Sequence, residues 1–201
     1  GQVLAEPNHL KAFAVSGLMM FAAFTVIPYI TIYLQSNAGM QASEVPWIYL
    51  CGGVATLLTA RYFGRLTDRV GKVRMFQRLA LAVTVPLMAT TLSQGLPLWG
   101  LLAISTLFFT VMSGRMIPGM AMISSAALPR LRGTFMTLNS AVQSASMGLA
   151  ALVAGLIIGR DAQGQLTLYW VAGLLGVVAS LLSVWLAGHL RLHGAPAQAV
   201  A

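Results

Sequence analysis

Polar and apolar positions alternate along this chain in long blocks. Six continuously apolar runs, at roughly residues 12–34, 45–63, 75–93, 97–124, 134–159 and 166–189, are separated by short polar connections. Each is about as long as the ~20 residues a helix needs to cross the hydrocarbon of a bilayer. Strands of a membrane barrel would alternate apolar and polar side chains at every second position, and these runs do not. The pattern predicts an all-α integral membrane protein with six transmembrane helices. Residues 1–11 read as an N-terminal segment, 12–190 as the transmembrane bundle and 191–201 as a tail.

Composition strengthens this reading. Of 201 residues, 58% are hydrophobic and 8% charged, whereas a soluble domain carries about a quarter charged residues. The net charge of +8 does not point to nucleic acid, because the basic residues flank apolar runs and form no stripe interleaved with aromatics. An anionic membrane surface fits better. The lone Cys51 allows no intrachain disulfide. The first apolar run is too long for a secretory leader and lacks a small-residue exit. Since the chain starts at Gly1 and not Met, it reads as a fragment or a processed form.

Lys and Arg then set the orientation. With the N-terminus inside, one face holds Lys11, Arg61, Arg65, Arg69, Lys72, Arg74, Arg78, Arg130, Arg132 and Arg191, and the other only Arg160. Both termini are thus predicted to be cytoplasmic. Tyr33, Trp47, Trp99, Tyr169 and Trp170 fall at predicted outer ends and Trp185 at an inner end, where amphipathic rings favour headgroup level.

The densest charge lies between the second and third runs, where Gly64, Leu66, Asp68, Arg69, Gly71, Lys72 and Arg74 spell G-x-L-x-D-R-x-G-K-x-R. This resembles the cytoplasmic loop motif of the major facilitator superfamily of transporters, with Thr67 where Ala is more usual. Val26-Ile27-Pro28-Tyr29 and Ile48-Tyr49-Leu50-Cys51-Gly52-Gly53 resemble helices seven and eight of its bacterial efflux members. Residues 129–136 resemble the loop entering helix eleven. The resemblance implies the C-terminal half of a twelve-helix bundle, built as two inverted three-helix repeats, whose partner is an N-terminal six-helix half of the same transporter. It implies proton-coupled efflux of drug-like or sugar-like solutes across the bilayer, with no cofactor, from the bacterial inner membrane. Uptake by the same fold is an alternative, and so is a six-helix assembly or sensor protein that transports nothing.

Several residues are candidates for function. Gly64 would let helix ends approach, and Gly71 would permit a tight turn. Asp68, alone among bases, should be ionised and paired. The resemblance gives it, with Arg69, Lys72 and Arg74, the role of latching one access state; setting topology is the competing role. Arg115 lies inside the fourth run, where an arginine costs about 2.5–3.5 kcal/mol to insert and so faces a bundle interior or an aqueous cavity. It reads as a partner for an anionic group, as a side chain snorkelling toward the cytoplasmic face, or as a structural donor to carbonyls freed by Pro118. Ser140, Ser144, Gly148, Ala151, Gly155 and Gly159 form a small-residue face suited to helix packing. Asn139 and Gln143, beside that face, and Thr25 and Tyr29, around Pro28, are candidates for the solute path. Met112, Met116 and Met120 form a stripe that reads as core or as an adaptable apolar wall.

Asp, Glu and His are absent from the middle of every run, and His9, His189 and His193 are near the ends. No catalytic or metal-binding constellation emerges, and the protein is not expected to be an enzyme. Arg115 does not release its proton, so an essential proton carrier would lie in the other half.

Overall fold

The structure is a computed structural model that describes residues 2–193. The tail predicted over 191–201 therefore lies outside the described residues beyond His193. Among those residues nine α-helices occur: α1 Gln2–Ala5, α2 Pro7–Phe24, α3 Ile27–Ser36, α4 Val45–Val70, α5 Lys72–Ala82, α6 Thr84–Thr91, α7 Leu98–Ala126, α8 Arg132–Ile157 and α9 Tyr169–Ala187, with a 3-10 turn Pro129–Leu131 leading into α8. Two short strands, β1 Gly159–Arg160 and β2 Leu166–Thr167, pair antiparallel between α8 and α9. End to end, α2 with α3 and α5 with α6 each make one rod, so α2–α9 form six rods coinciding with the six apolar runs. Four stretches are long and apolar enough to cross a membrane: Pro7–Ser36, Leu98–Ala126, Pro129–Ile157 and Tyr169–Ala187. Helix α4 carries Arg61, Arg65, Asp68 and Arg69 in its second half, and α5 begins with Lys72 and Arg74.

Prolines determine where two rods break. A proline in a helix leaves the carbonyl four residues earlier unbonded and its ring crowds that carbonyl. Pro28 follows Phe24, the last residue of α2, by four positions, and Pro86 follows Ala82, the last of α5, by the same interval. Pro118 lies inside α7 without ending it; the residue four before it is Gly114.

The packing has an internal two-fold pattern. Number the rods 1 (α2–α3), 2 (α4), 3 (α5–α6), 4 (α7), 5 (α8) and 6 (α9). Rod 1 packs on 5 and 6 as rod 4 packs on 2 and 3; rods 1 and 4 touch, as do 3 and 6, 2 and 3, and 5 and 6. Exchanging 1, 2, 3 with 4, 5, 6 leaves these pairs unchanged; a small contact of rod 1 with rod 3, between α3 and α6, stands outside the pattern. Glycines set some of the approaches. A Cβ at Gly52 of α4 would meet the Phe109 ring of α7 at 3.0 Å, and one at Gly114 of α7 would meet the Phe63 ring of α4 at 2.6 Å.

Two buried clusters fill the bundle. One gathers Val26, Ile30, Tyr33, Leu34, Leu87, Phe108 and Tyr169; the other gathers Phe13, Met19, Phe76, Met122, Ile123 and Phe135. Trp47, Trp99, Trp170 and Trp185 are exposed. Tyr33 and Tyr169 are both buried in the bundle, their rings 4.6 Å apart, and the Tyr169 hydroxyl donates to the Val26 carbonyl at 2.9 Å. That carbonyl lies at the break between α2 and α3, where a hydroxyl donor finds an accessible acceptor.

Candidate functional site

The charged connection is helical for most of its length. Helix α4 runs through Gly64 to Val70, because charge alone does not end a helix; only Gly71, at φ +94° and ψ +144°, leaves it. The Gly71 amide donates to the Thr67 carbonyl at 2.9 Å, and its own carbonyl accepts from the Met75 amide at 2.9 Å, so one residue closes α4 and starts α5. Gly64 has no atom within 4 Å of where a Cβ would stand, so no close helix approach occurs there within these residues. Lys72 donates to the Ser125 hydroxyl near the end of α7 at 2.7 Å. Asp68, Arg69 and Arg74 are exposed. Among the described residues no Lys or Arg nitrogen comes within 4.0 Å of a carboxylate oxygen, so Asp68 lacks the ion pair expected of it.

The Arg115 side chain is fully buried at the junction of four helices. Nη2 donates to the Met19 carbonyl of α2 at 2.6 Å and Nη1 to the Ser180 hydroxyl of α9 at 3.3 Å; Nε has no partner. Ser180 in turn donates to the Ala80 carbonyl of α5 at 2.8 Å. One guanidinium thus connects α7 to α2, α9 and, through Ser180, α5. The carbonyl it reaches is not the one Pro118 frees, which is that of Gly114.

The remaining path candidates divide by exposure. Thr25 is buried, its hydroxyl returned to the Ala22 carbonyl at 3.3 Å. Asn139 is 1% exposed, and neither amide atom has a partner; its polar complement is no group of the described residues. Tyr29 and Gln143 are half-buried. The Tyr29 hydroxyl donates to the Ala151 carbonyl of α8 at 2.9 Å. Gln143 donates to the Ser16 hydroxyl of α2 at 2.9 Å and points at the Met120 sulfur of α7 at 3.5 Å. Of these candidates Tyr29 and Gln143 are the more accessible, and Thr25, Arg115 and Asn139 are buried.

The small-residue face of α8 also divides. Gly155 makes room for Tyr29, whose Oη would stand 2.6 Å from a Cβ there, and Gly159 lies against Thr167. Ser140, Ser144 and Gly148 are exposed, and nothing lies within 4 Å of a Cβ at Gly148. Helix α2 instead meets α8 through Gly17, opposite Ser146. Met112 is buried, whereas Met116 and Met120 are half-buried.

Two further features lie outside the candidates the sequence offers. A mostly apolar cleft of about 400 Å³ runs along the seam of α4 and α7, lined by Tyr49, Gly52, Gly53, Thr56, Phe109 and Ser113; the adjacent glycines are its signal. The Asn37 amide, at the end of α3, donates to and accepts from the backbone of Leu166 at 2.9 and 2.8 Å. This clamps α3 to the hairpin before α9, and no local pattern announces a partner so distant in sequence.

Comparison with known proteins places these elements. The family profile described as Major Facilitator Superfamily matches residues 12–199. An uncharacterised MFS-type transporter of Bacillus subtilis (strain 168), YtbD, is 25% identical over 188 residues, which cover 92% of this chain and 46% of the relative. The chain thus spans about half the length of that relative.

Proposed function

Because this chain belongs to the Major Facilitator Superfamily, and is therefore a membrane-integral transport protein, we propose that it forms the C-terminal half of a secondary transporter working by alternating access. The observation that supports this is the nearly exchange-symmetric packing of rods 1–3 with rods 4–6, a pattern consistent with two three-helix repeats. All six rods then cross the membrane with both termini in the cytoplasm, and an N-terminal six-helix half completes the cavity. Rocking of the halves around a midplane site would move the solute.

In this reading Tyr29, Gln143 and the α4–α7 cleft face the solute. Aromatic rings beside a few hydroxyls and one carboxamide suit amphipathic, drug-like or sugar-like solutes. Thr25, Arg115 and Asn139 support that wall from behind. Exposed Asp68 latches onto a helix end of the other half: a carboxylate at a helix N-terminus contributes up to about 2 kcal/mol. The Gly64, Arg69, Gly71, Lys72 and Arg74 positions shape and charge that contact. The proton, taken as the coupling ion, is carried by the other half, and the protein exports from the bacterial inner membrane.

An efflux assay of the complete protein in proteoliposomes, with a panel of lipophilic cations and oligosaccharides and an imposed pH gradient, tests this. Uphill movement of at least one solute, abolished by a protonophore, is expected. Movement of none by a correctly inserted protein would favour a non-transporting assembly, and gradient-driven accumulation in the opposite direction would favour uptake.

A further inference from the structure

A polar cleft of about 330 Å³ lies at the end of the bundle where α2 begins, lined by Glu6, Pro7, Asn8, Lys11, Arg191 and His193. Its floor is rigidly made. The Asn8 amide nitrogen donates to the Ala126 carbonyl of α7 at 2.9 Å and to the Arg191 carbonyl at 2.8 Å, while its oxygen accepts from the Arg191 amide at 2.9 Å. The His193 amide is bonded to the Ser125 carbonyl, and the Leu128 amide donates to Nε2 of buried His9 at 3.1 Å. The chain after α9 is thereby pinned, which sets Arg191 beside Lys11. Both side chains are exposed and, like every Lys and Arg among the described residues, make no ion pair.

We propose that this cleft binds a phosphate group, presented by the headgroup of an anionic phospholipid. Two neighbouring cations, one on a pinned backbone, and a histidine, opposed by the single carboxylate of Glu6, suit one anionic phosphate. A guanidinium beside an ammonium combines bidentate donation with a point charge. Depth favours a lipid source. Trp185 of α9 is 63% exposed, its ring 4.8 Å from His189. Tryptophan marks the membrane interface, and Arg191 follows it just past the helix end, where phosphates begin. Basic pockets between helices on the cytoplasmic side recognise anionic headgroups. The inference rests on the proposed topology, with this end of the bundle at the cytoplasmic face, and on no particular solute or coupling ion.

Native mass spectrometry of the complete protein, with phosphatidylglycerol, phosphatidylcholine or glycerol 3-phosphate added, tests it. Wild-type protein should keep one phosphatidylglycerol at collision energies that strip phosphatidylcholine. Lys11→Gln with Arg191→Gln should lower that occupancy about tenfold, Lys11→Arg with Arg191→Lys should preserve it, and Arg160→Gln at the other end should leave it unchanged. Glycerol 3-phosphate displacing the lipid at micromolar concentration would keep the phosphate site and make its source soluble. Equal retention of both lipids, or full phosphatidylglycerol occupancy in the charge-neutral double variant, would overturn the proposal.

Discussion

Arg115 and Met19 are joined by a hydrogen bond of 2.6 Å between a guanidinium and a backbone carbonyl 96 residues apart in sequence. Ser180 takes the other terminal nitrogen, and no group takes Nε. This makes Arg115 a tie among α2, α7 and α9 before it is anything else. Its energetics are testable because a buried charge left short of partners is costly, whereas replacing the charge with apolar volume is often neutral.

Ser180→Ala should accordingly destabilise the protein more than Arg115→Met. The serine variant strips an acceptor from a buried cation and leaves the Ala80 carbonyl without its extra donor, an expected loss of about 1–3 kcal/mol. The methionine variant removes the cation with its desolvation cost. Thermal unfolding in detergent measures the order; a more stable Ser180→Ala protein would contradict it.

Gly155 and Tyr29 should be coupled. A methyl at 155 would stand 2.6 Å from the Tyr29 hydroxyl oxygen and expel it from the Ala151 carbonyl. Gly155→Ala should cost about 1–3 kcal/mol by overpacking, and much less in a Tyr29→Phe background. A double-mutant cycle with coupling below about 0.5 kcal/mol would place the two residues in independent environments.

The two motif glycines should respond in opposite senses. Gly71 holds a backbone conformation that side chains strain to adopt, so Gly71→Ala should cost about 1–3 kcal/mol. Gly64 is mid-helix with open space around it, so Gly64→Ala should stabilise by about 0.5–1 kcal/mol. If transport nevertheless falls in Gly64→Ala at full stability, the open space is filled by the other half.

Much of this architecture was legible in the sequence. Hydrophobic blocks longer than any turn signal mark rods to within a few residues, as with run 97–124 and Leu98–Ala126. Local chemistry also placed the Gly71 turn. The sequence places the end of α4 too early because a cluster of charges looks like a loop, although Thr67, Asp68 and Arg69 all continue a helix. Side-chain destinations were the least legible. Nothing local to Tyr169 shows that its hydroxyl meets the Val26 carbonyl at the α2–α3 break, 143 residues away in sequence. Arg115 reads the same whether it faces a cavity or a neighbour's backbone, because its partner lies on another rod. The clamps by Asn37 and Asn8 join segments more than a hundred residues apart.

Asp68→Asn removes the exposed carboxylate of the α4–α5 turn and keeps its size. Insertion and abundance should be unchanged, since Lys and Arg set topology, while transport by the complete protein should fall about tenfold or more. Normal flux in an equally abundant variant would remove the latch.

Alternating access itself is tested most directly at Gln143, half-buried between α2, α7 and α8. In a Cys51→Ser background of the complete protein, Gln143→Cys is challenged with a membrane-impermeant thiol reagent in right-side-out and inside-out vesicles, under opposite pH gradients. The account predicts reaction from both sides, with the faster side switching when the gradient is reversed, and little reaction for Leu152→Cys on the exposed face of α8. Reaction from one side only, or inertness under every gradient, would contradict it.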